Sequence, residues 1–321
     1  MPLGTVDQGV DGIRGAGEPR AMTDLHEKAA LIALLRRGDR PWHQQAALVE
    51  EAGSSAAVLS GEYPGPLEEA SPKLFDVADQ PSLEDLDAIA AEVRRWEGEG
   101  MGVVSVLDDE YPENLRAVFD RPPLLFIRGE LIDQDFRSVA IVGTRQASAA
   151  GEQRATEIAR HMAEAGFTVF SGLATGIDTA AHRGALAAGG RTVGVLGTGL
   201  RRSYPASNAD LQSEIALRCA VVSQFWPDQP PTRTTFPRRN ATMSGLSLAT
   251  VVVEASHTSG ARMQARLALA HGRPVFLLDS LVEQHKWARS YAERPGTHVV
   301  SSPDEIGAQI ERLAFAEALS F

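Results

Sequence analysis

Ser138-Val139-Ala140-Ile141-Val142 breaks at Gly143-Thr144-Arg145, and Phe167-Thr168-Val169-Phe170 breaks at Ser171-Gly172-Leu173-Ala174-Thr175-Gly176-Ile177-Asp178. These two runs decide the fold. Each is a short apolar, β-rich segment that ends in glycine. Each leads into a helix-like segment, the first with Ile158, Ala159 and Met162 on one face, the second with Ala180, Ala181, His182 and Leu186. Strand, glycine turn and helix, repeated, imply right-handed crossovers and a parallel sheet. The class is therefore α/β. Ligands of such sheets sit beyond the carboxyl ends of the strands, where both glycine turns fall.

Glycine lets backbone amides approach an anion, and a following helix N-terminus adds a positive dipole end. Gly143, Thr144 and Arg145 in the first turn, with Ser171, Gly172 and Thr175 in the second, are thus candidate phosphate ligands. Arg145 supplies a planar fork suited to phosphate. Each turn alone also suits a purely structural strand-to-helix connection; two on one sheet edge, one with an arginine, favour phosphate binding. Asp178 reads as a helix cap, and His182, four residues on, as its structural neighbour. Glu254 ends a later strand in the same region and is a candidate acceptor for a ribose hydroxyl or base amine.

Further along, Thr192–Leu196, Ala220–Phe225, Ala249–Val253 and Pro274–Leu278 read as strands, with a seventh at His298–Val300. Arg121-Pro122-Pro123 leads into a strand ending at Gly129, expected at the sheet edge, where proline is tolerated. Residues 227–244, with four prolines and Arg233, Arg238 and Arg239, read as a long functional loop. Residues 279–291 suit one helix, whose Trp287 either stacks on an unpaired base or packs on the sheet.

Upstream, residues 1–22 read as a disordered leader. Residues 23–100 read as a small helical domain. Its first helix opens at Thr23, its second at Trp42 and its third near Pro81, with a loop over 60–72. Residues 101–321 form the α/β domain. The net charge of −11 is divided unevenly. Residues 1–134 hold 12 Lys and Arg against 26 Asp and Glu, a balance of −14, whereas residues 135–321 hold 19 against 16, a balance of +3. The second part can thus present a basic face despite the total. The acidic helical domain is not expected to bind DNA.

Cys219 is the only cysteine and reads as a buried thiol, consistent with a reducing cytosol and no disulfide framework. No run reaches membrane-spanning length, and no signal-peptide pattern opens the chain. A cytoplasmic protein is expected. The nicotinamide fingerprint G-x-G-x-x-G is missing after the first strand of the repeat. No metal-ligand set or nucleophile–base constellation stands out. The expectation is no enzyme, no cofactor and no metal.

The words taken together carry a resemblance. Val142-Gly143-Thr144-Arg145, the run from Ser171 to Asp178 with His182, Phe236-Pro237-Arg238-Arg239-Asn240, Ser244-Gly245-Leu246-Ser247, and Val253-Glu254-Ala255 with Ser259-Gly260 resemble the DNA-processing protein A (DprA, or Smf) family, over roughly residues 105–280. The resemblance implies an extended Rossmann-like domain and a homodimer. It implies binding of single-stranded DNA and loading of the RecA recombinase in recombination or DNA uptake. It adds Arg238, Arg239, Asn240 and Ser259 to the candidate DNA contacts. The chain departs from the family at Ala241, where a further arginine is usual, and after Leu278, where a glycine-rich loop is usual. A winged-helix domain that some members append is not expected. The alternative is a nucleotide-sensing Rossmann-like protein whose site takes a small phosphate ligand.

Overall fold

A computed structural model of the chain describes residues 18–63 and 83–318. The leader expected over 1–22 lies outside the described residues as far as residue 17, and most of the loop expected over 60–72 does too.

Four helices come first: α1 (Glu18–Arg37), α2 (Trp42–Ala52), α3 (Ser55–Ser60) and α4 (Leu83–Gly98). Helix α1 starts five residues before the Thr23 start expected, and α3 went unread because it is only six residues long. Glu27 of α1 stands in for a capping box across space. It accepts from Ser54 Oγ (2.7 Å) and from the Ser55 amide (2.5 Å) at the N-terminus of α3. Leu31, Ile32, Val49, Val93 and Trp96 are buried among these helices.

The sheet follows. It consists of β1 (Gly102–Ser105), β2 (Leu124–Gly129), β3 (Ser138–Val142), β4 (Thr168–Ser171), β5 (Thr192–Val195), β6 (Ala220–Ser223), β7 (Ala249–Val252), β8 (Val275–Leu278) and β9 (Thr297–Val300). Their spatial order is β1-β2-β6-β5-β4-β3-β7-β8-β9. All pairs from β6 to β9 are parallel; β1 and β2 are antiparallel additions. The chain winds outward from β3 to β6, returns, and winds the other way from β7. The topological switch point therefore lies between β3 and β7, a Rossmann-like arrangement. Strand β2 is not at the edge as expected: it lies between β1 and β6. Its prolines, Pro122 and Pro123, precede the strand and remove no ladder donor.

The crossovers are α5 (Glu113–Arg116), α6 (Ala149–Glu164), α7 (Ile177–Ala187), α8 (Ala209–Arg218), α9 (Thr235–Leu246), α10 (Gly260–Ala270), α11 (Asp279–Gln284), α12 (Lys286–Ala292) and α13 (Pro303–Ala318). Two readings need correction. The expected loop 227–244 contains most of α9. Most of its buried residues are polar (Thr235, Arg239, Asn240, Thr242 and Ser244), with Met243 and Leu246 only near its end, so no apolar period announced it. Pro237 is tolerated because it lies in the first turn, where amides need no intrahelical partner. The single helix expected over 279–291 is two, broken at His285, whose φ of −124° and ψ of 122° are extended.

The helical module meets the sheet through aromatic rings. Trp96 packs edge-on to Phe126 of β2 (5.2 Å), and Trp42 meets Trp226 edge-on (5.7 Å). At the other flank Trp287 is buried, with its indole N–H donating to Ala255 O at 3.2 Å and its ring edge-on to Tyr291. It packs on the sheet and does not offer a face to a base. Trp287→Ala is expected to cost about 3–5 kcal/mol of stability in denaturant titration, with oligonucleotide affinity of the folded fraction unchanged.

Candidate nucleic-acid interface

The cleft opens at the switch point. Its walls are the turn after β3, the turn after β4, the first half of α9 and the entry to α10. The main compartment has a volume of about 490 Å³ and is lined by Gly143, Thr144, Arg145, Phe236, Arg239 and Asn240 among others. A smaller one of about 100 Å³ adjoins it, bounded by Gly172, Thr175, Tyr204 and Pro205. Arg145, Ala174, Phe236 and Arg239 border both.

Arg239 is the floor. It is buried, and its Nη1 donates to Gly172 O (2.5 Å) and Val195 O (2.9 Å), while Nε donates to Asn240 Oδ1 (3.0 Å). A Cβ on Gly172 would overlap the guanidinium, at 1.7 Å from Nη1. Gly172 is therefore required for close approach rather than for a left-handed backbone. Gly143 is similar: a Cβ there would strike the Ile177 side chain at 2.3 Å.

The second turn already holds an anion. The buried Asp178 carboxylate accepts from the Gly172 amide (3.1 Å) and the Ala174 amide (3.3 Å). The Gly172 amide is one expected to meet a phosphate, so Asp178 acts on the turn rather than as an N-cap. Burial raises its pKa, while the charge of Arg239 and the two amides draw it back down. Burial lowers the Arg239 pKa, against the pull of Asp178 and with the repulsion of Arg145. The Ser171 hydroxyl is also committed, donating to Ile141 O (2.7 Å) inside the sheet. Leu173, between these groups, has a φ of +55°, a conformation costly for a branched side chain. Asn208 holds it by donating to Leu173 O (2.9 Å) and Ala174 O (3.2 Å).

Arg145 is exposed above this floor, with its guanidinium 5.1 Å from the centre of the Phe236 ring. The Tyr204 ring also packs against Phe236, tilted, with ring centres 5.6 Å apart. Thr175 Oγ1 donates to Arg145 O (3.1 Å) and Thr144 N donates to Glu254 O (2.6 Å), which ties the two turns and β7 together. In the sequence Phe236 stands within a family word without a role of its own, and Tyr204 stands in none of those words. Aromatic residues flanking basic words are the signal that could have found them.

The remaining candidates are placed as follows. Arg238 turns away from the cleft; its guanidinium lies over Trp42 (4.9 Å) and Phe225 (5.7 Å). Asn240 donates to Gly260 O (3.3 Å), and Ser259 caps α10 by accepting from the Ala261 amide (3.2 Å). The Glu254 carboxylate accepts from Ser148 Oγ (2.8 Å) at the start of α6, a capping role. Gln264, unnoticed in the sequence, lines the main compartment fully buried; neither of its amide atoms has a partner among the described residues.

Two further polar groupings are held within the protein. His182 is buried and its Nδ1 lies 2.7 Å from Thr192 Oγ1, whose hydroxyl donates to Val169 O. Thr192 Oγ1 is thus the acceptor and Nδ1 carries the proton. Ser244, His271 and Asp120 form a hydroxyl–imidazole–carboxylate chain (3.0 and 2.7 Å). Ser244 is buried on the inner side of α9, where the chain pins α9 to α10. Among the described residues no group of three or more His, Cys, Asp or Glu could hold a metal, and no helix is long and apolar enough to cross a membrane.

Fold and cleft define a Rossmann-like α/β protein with a cationic, aromatic-lipped site at its switch point. The chain belongs to the DNA recombination-mediator protein A family, whose model matches residues 102–311. It is 36% identical over 208 residues to the DNA processing protein DprA of Streptococcus pneumoniae, covering 64% of this chain and 73% of that one. It is 34% identical over 179 residues to DprA of Bacillus subtilis (56% and 60%), and 39% identical over 207 residues to protein Smf of Escherichia coli (64% and 54%). The match thus spans little more than half of some relatives. The solved structure of DprA from S. pneumoniae superposes with a TM-score of 0.66 at 29% identity, covering 88% of this chain and 97% of that one. DprA of Helicobacter pylori, described for its single-stranded DNA binding mode, superposes at 0.59 with 25% identity, covering 67% and 96%.

Burial and the charge of Arg239 lower the His182 pKa to about 3. An unfolded histidine titrates near 6.5, so between these values the unfolded chain binds the extra proton. Stability from this group is complete above about pH 6.5 and falls as pH drops toward 3. The expected loss between pH 7 and pH 5 is about 2 kcal/mol. Urea titrations at the two pH values should show it, and His182→Gln should remove that part of the difference.

Proposed function

We propose that the cleft binds single-stranded DNA and that the protein acts as a recombination mediator in the cytoplasm. The observation that carries this reading is Arg145 stacked on Phe236 at the lip, above the buried Arg239. A cation beside an aromatic face suits alternating phosphate and base without selecting sequence. The relief of repulsion between Arg145 and Arg239 also favours an anionic ligand. Arg145 and Thr144 are the proposed phosphate contacts, with Gly143 giving the strand close approach. Thr175, Asn240 and Ser259 line or brace the same rim. Gly172, Ser171, Arg239 and Glu254 build the site from behind, and Arg238 acts through Trp42.

RecA loading, a homodimer and the absence of catalysis are part of the same proposal, supported by family membership. So is a division into a helical module over 23–100 and a Rossmann-like domain over 101–321. The size of the main compartment and the unpaired Gln264 favour a second reading, a small nucleotide as ligand. The salt dependence of affinity separates the two, because a mononucleotide releases few counterions.

Fluorescence anisotropy with labelled single-stranded and duplex oligonucleotides at two salt concentrations is the test. Preference for the single strand is expected. Arg145→Ala should weaken binding and reduce the log–log salt slope by about 0.7. An unchanged slope in a folded variant would remove Arg145 from the interface.

Gln264→Leu separates a ligand-facing amide from a structural one. Loss of a buried unpaired amide should leave the free protein as stable or more stable, while binding weakens. A variant that is destabilised yet binds normally would make Gln264 structural.

A further inference from the structure

At the opposite end of β3 the surface changes character. A groove of about 360 Å³ runs between the segment before α5 and the 3₁₀ turn at Asp133–Phe136. Its floor is apolar: Tyr111, Pro112, Leu131, Phe170 and Leu246. Ile132 and Phe136 stand on its lip, 41% and 58% exposed, large apolar side chains left in solvent. The other lining groups are mainly carboxylates, those of Asp109, Glu110, Glu113, Asp133 and Asp135. Among the described residues no lysine, arginine or histidine lines it.

The walls are braced. Asn114 Nδ2 donates both to Phe136 O (2.8 Å) on one side and to Leu246 O (3.1 Å) beneath. Asp135 is neutralised by Arg191 (2.6 Å) and accepts from Thr168 Oγ1 (2.9 Å) and the Ile132 amide (3.0 Å). The groove thus exists before any partner arrives, which lowers the ordering cost of binding.

We propose that this groove docks a basic segment of another protein, with a large apolar side chain in the floor and lysine or arginine against the rim. Charge complementarity decides the occupant. Nucleic acid is excluded by the carboxylates. Segment 64–82 of the chain itself carries Glu68, Glu69, Asp76 and Asp79 against Lys73, and would be repelled. The volume accommodates one aromatic or two aliphatic side chains, the scale of a helix or strand anchor. The five residues of β3 separate the groove from the cleft by about 15 Å, so both sites can be filled at once.

The experiment is fluorescence anisotropy of the full chain with a labelled hexapeptide, Lys-Arg-Phe-Leu-Lys-Arg. The peptide is expected to bind and to resist competition by oligodeoxythymidylate. Glu110→Lys with Asp133→Lys should weaken it about tenfold or more. Glu283→Lys with Glu293→Lys, the same change in net charge on the flank of α11 and α12, should leave it nearly unaffected. All four positions are exposed, and thermal melts check folding; Phe136→Ser serves if the groove pair fails to fold. No binding, equal weakening by both pairs, or equal affinity for a peptide with alanine in place of Phe and Leu overturns the proposal. So does sedimentation in which Phe136→Ser turns a dimer into a monomer, since a second copy would then be the occupant.

Discussion

The buried guanidinium of Arg239 is the constraint on which the cleft depends. It links α9 to the ends of β4 and β5 by donating to two carbonyls that no strand neighbour uses. Its bulk forbids a side chain at residue 172, and its charge is balanced by Asp178 across the turn. Phe236 lies three residues earlier on the same helical face, so fixing Arg239 also fixes the aromatic lip. Removing this one group would leave a buried carboxylate uncompensated, a cost far above that of a surface ion pair.

The consequence for binding is a division of labour among four cationic or anionic groups. Asp178 occupies the turn amides, so that part of the sheet edge is complete without a ligand. Arg239 is screened from solvent and shapes the floor. Glu254 spends its charge on the start of α6. Arg145 is left exposed at the lip, its guanidinium over the Phe236 ring and free of any carboxylate partner among the described residues. The arrangement concentrates recognition on a cation and an aromatic ring, which suits a flexible, repeated ligand better than a single tightly enclosed one.

The two surface depressions differ in lining: the cleft at the carboxyl ends holds Arg145 and Arg239, and the groove at the amino end of β3 is rimmed by carboxylates. The overall charge of −11 conceals this, because most of the acidic surplus lies in the first 134 residues. A net charge says little about an interface when charges are distributed unevenly between the two parts of the chain. Arg238 adds a link of another kind: from the outer side of α9 it reaches Trp42, so the helical module touches the helix that carries the cleft floor.

Short apolar runs ending in glycine were enough to determine a parallel α/β sheet, the edge at which its cleft opens and the presence of Arg145 there, because those features depend on local pattern and connection length. The family words added α9 residues to the site by order alone. What the pattern could not show was how those residues are used. Helix α9 buries polar side chains against backbone carbonyls distant in sequence, so it looked like a loop. Ser171 reads as a phosphate ligand and Asp178 as a helix cap, but the Ser171 hydroxyl is held by Ile141 O of β3 and the Asp178 carboxylate by the amides of the turn. Trp287 was ambiguous until Ala255 O was found to accept from its indole N–H. Gln264 sits in an ordinary helical stretch and becomes notable only when the assembled cleft leaves its amide buried and unpaired. In each case the deciding quantity is whether a polar group is satisfied inside the protein, and that depends on partners supplied by other elements of the fold.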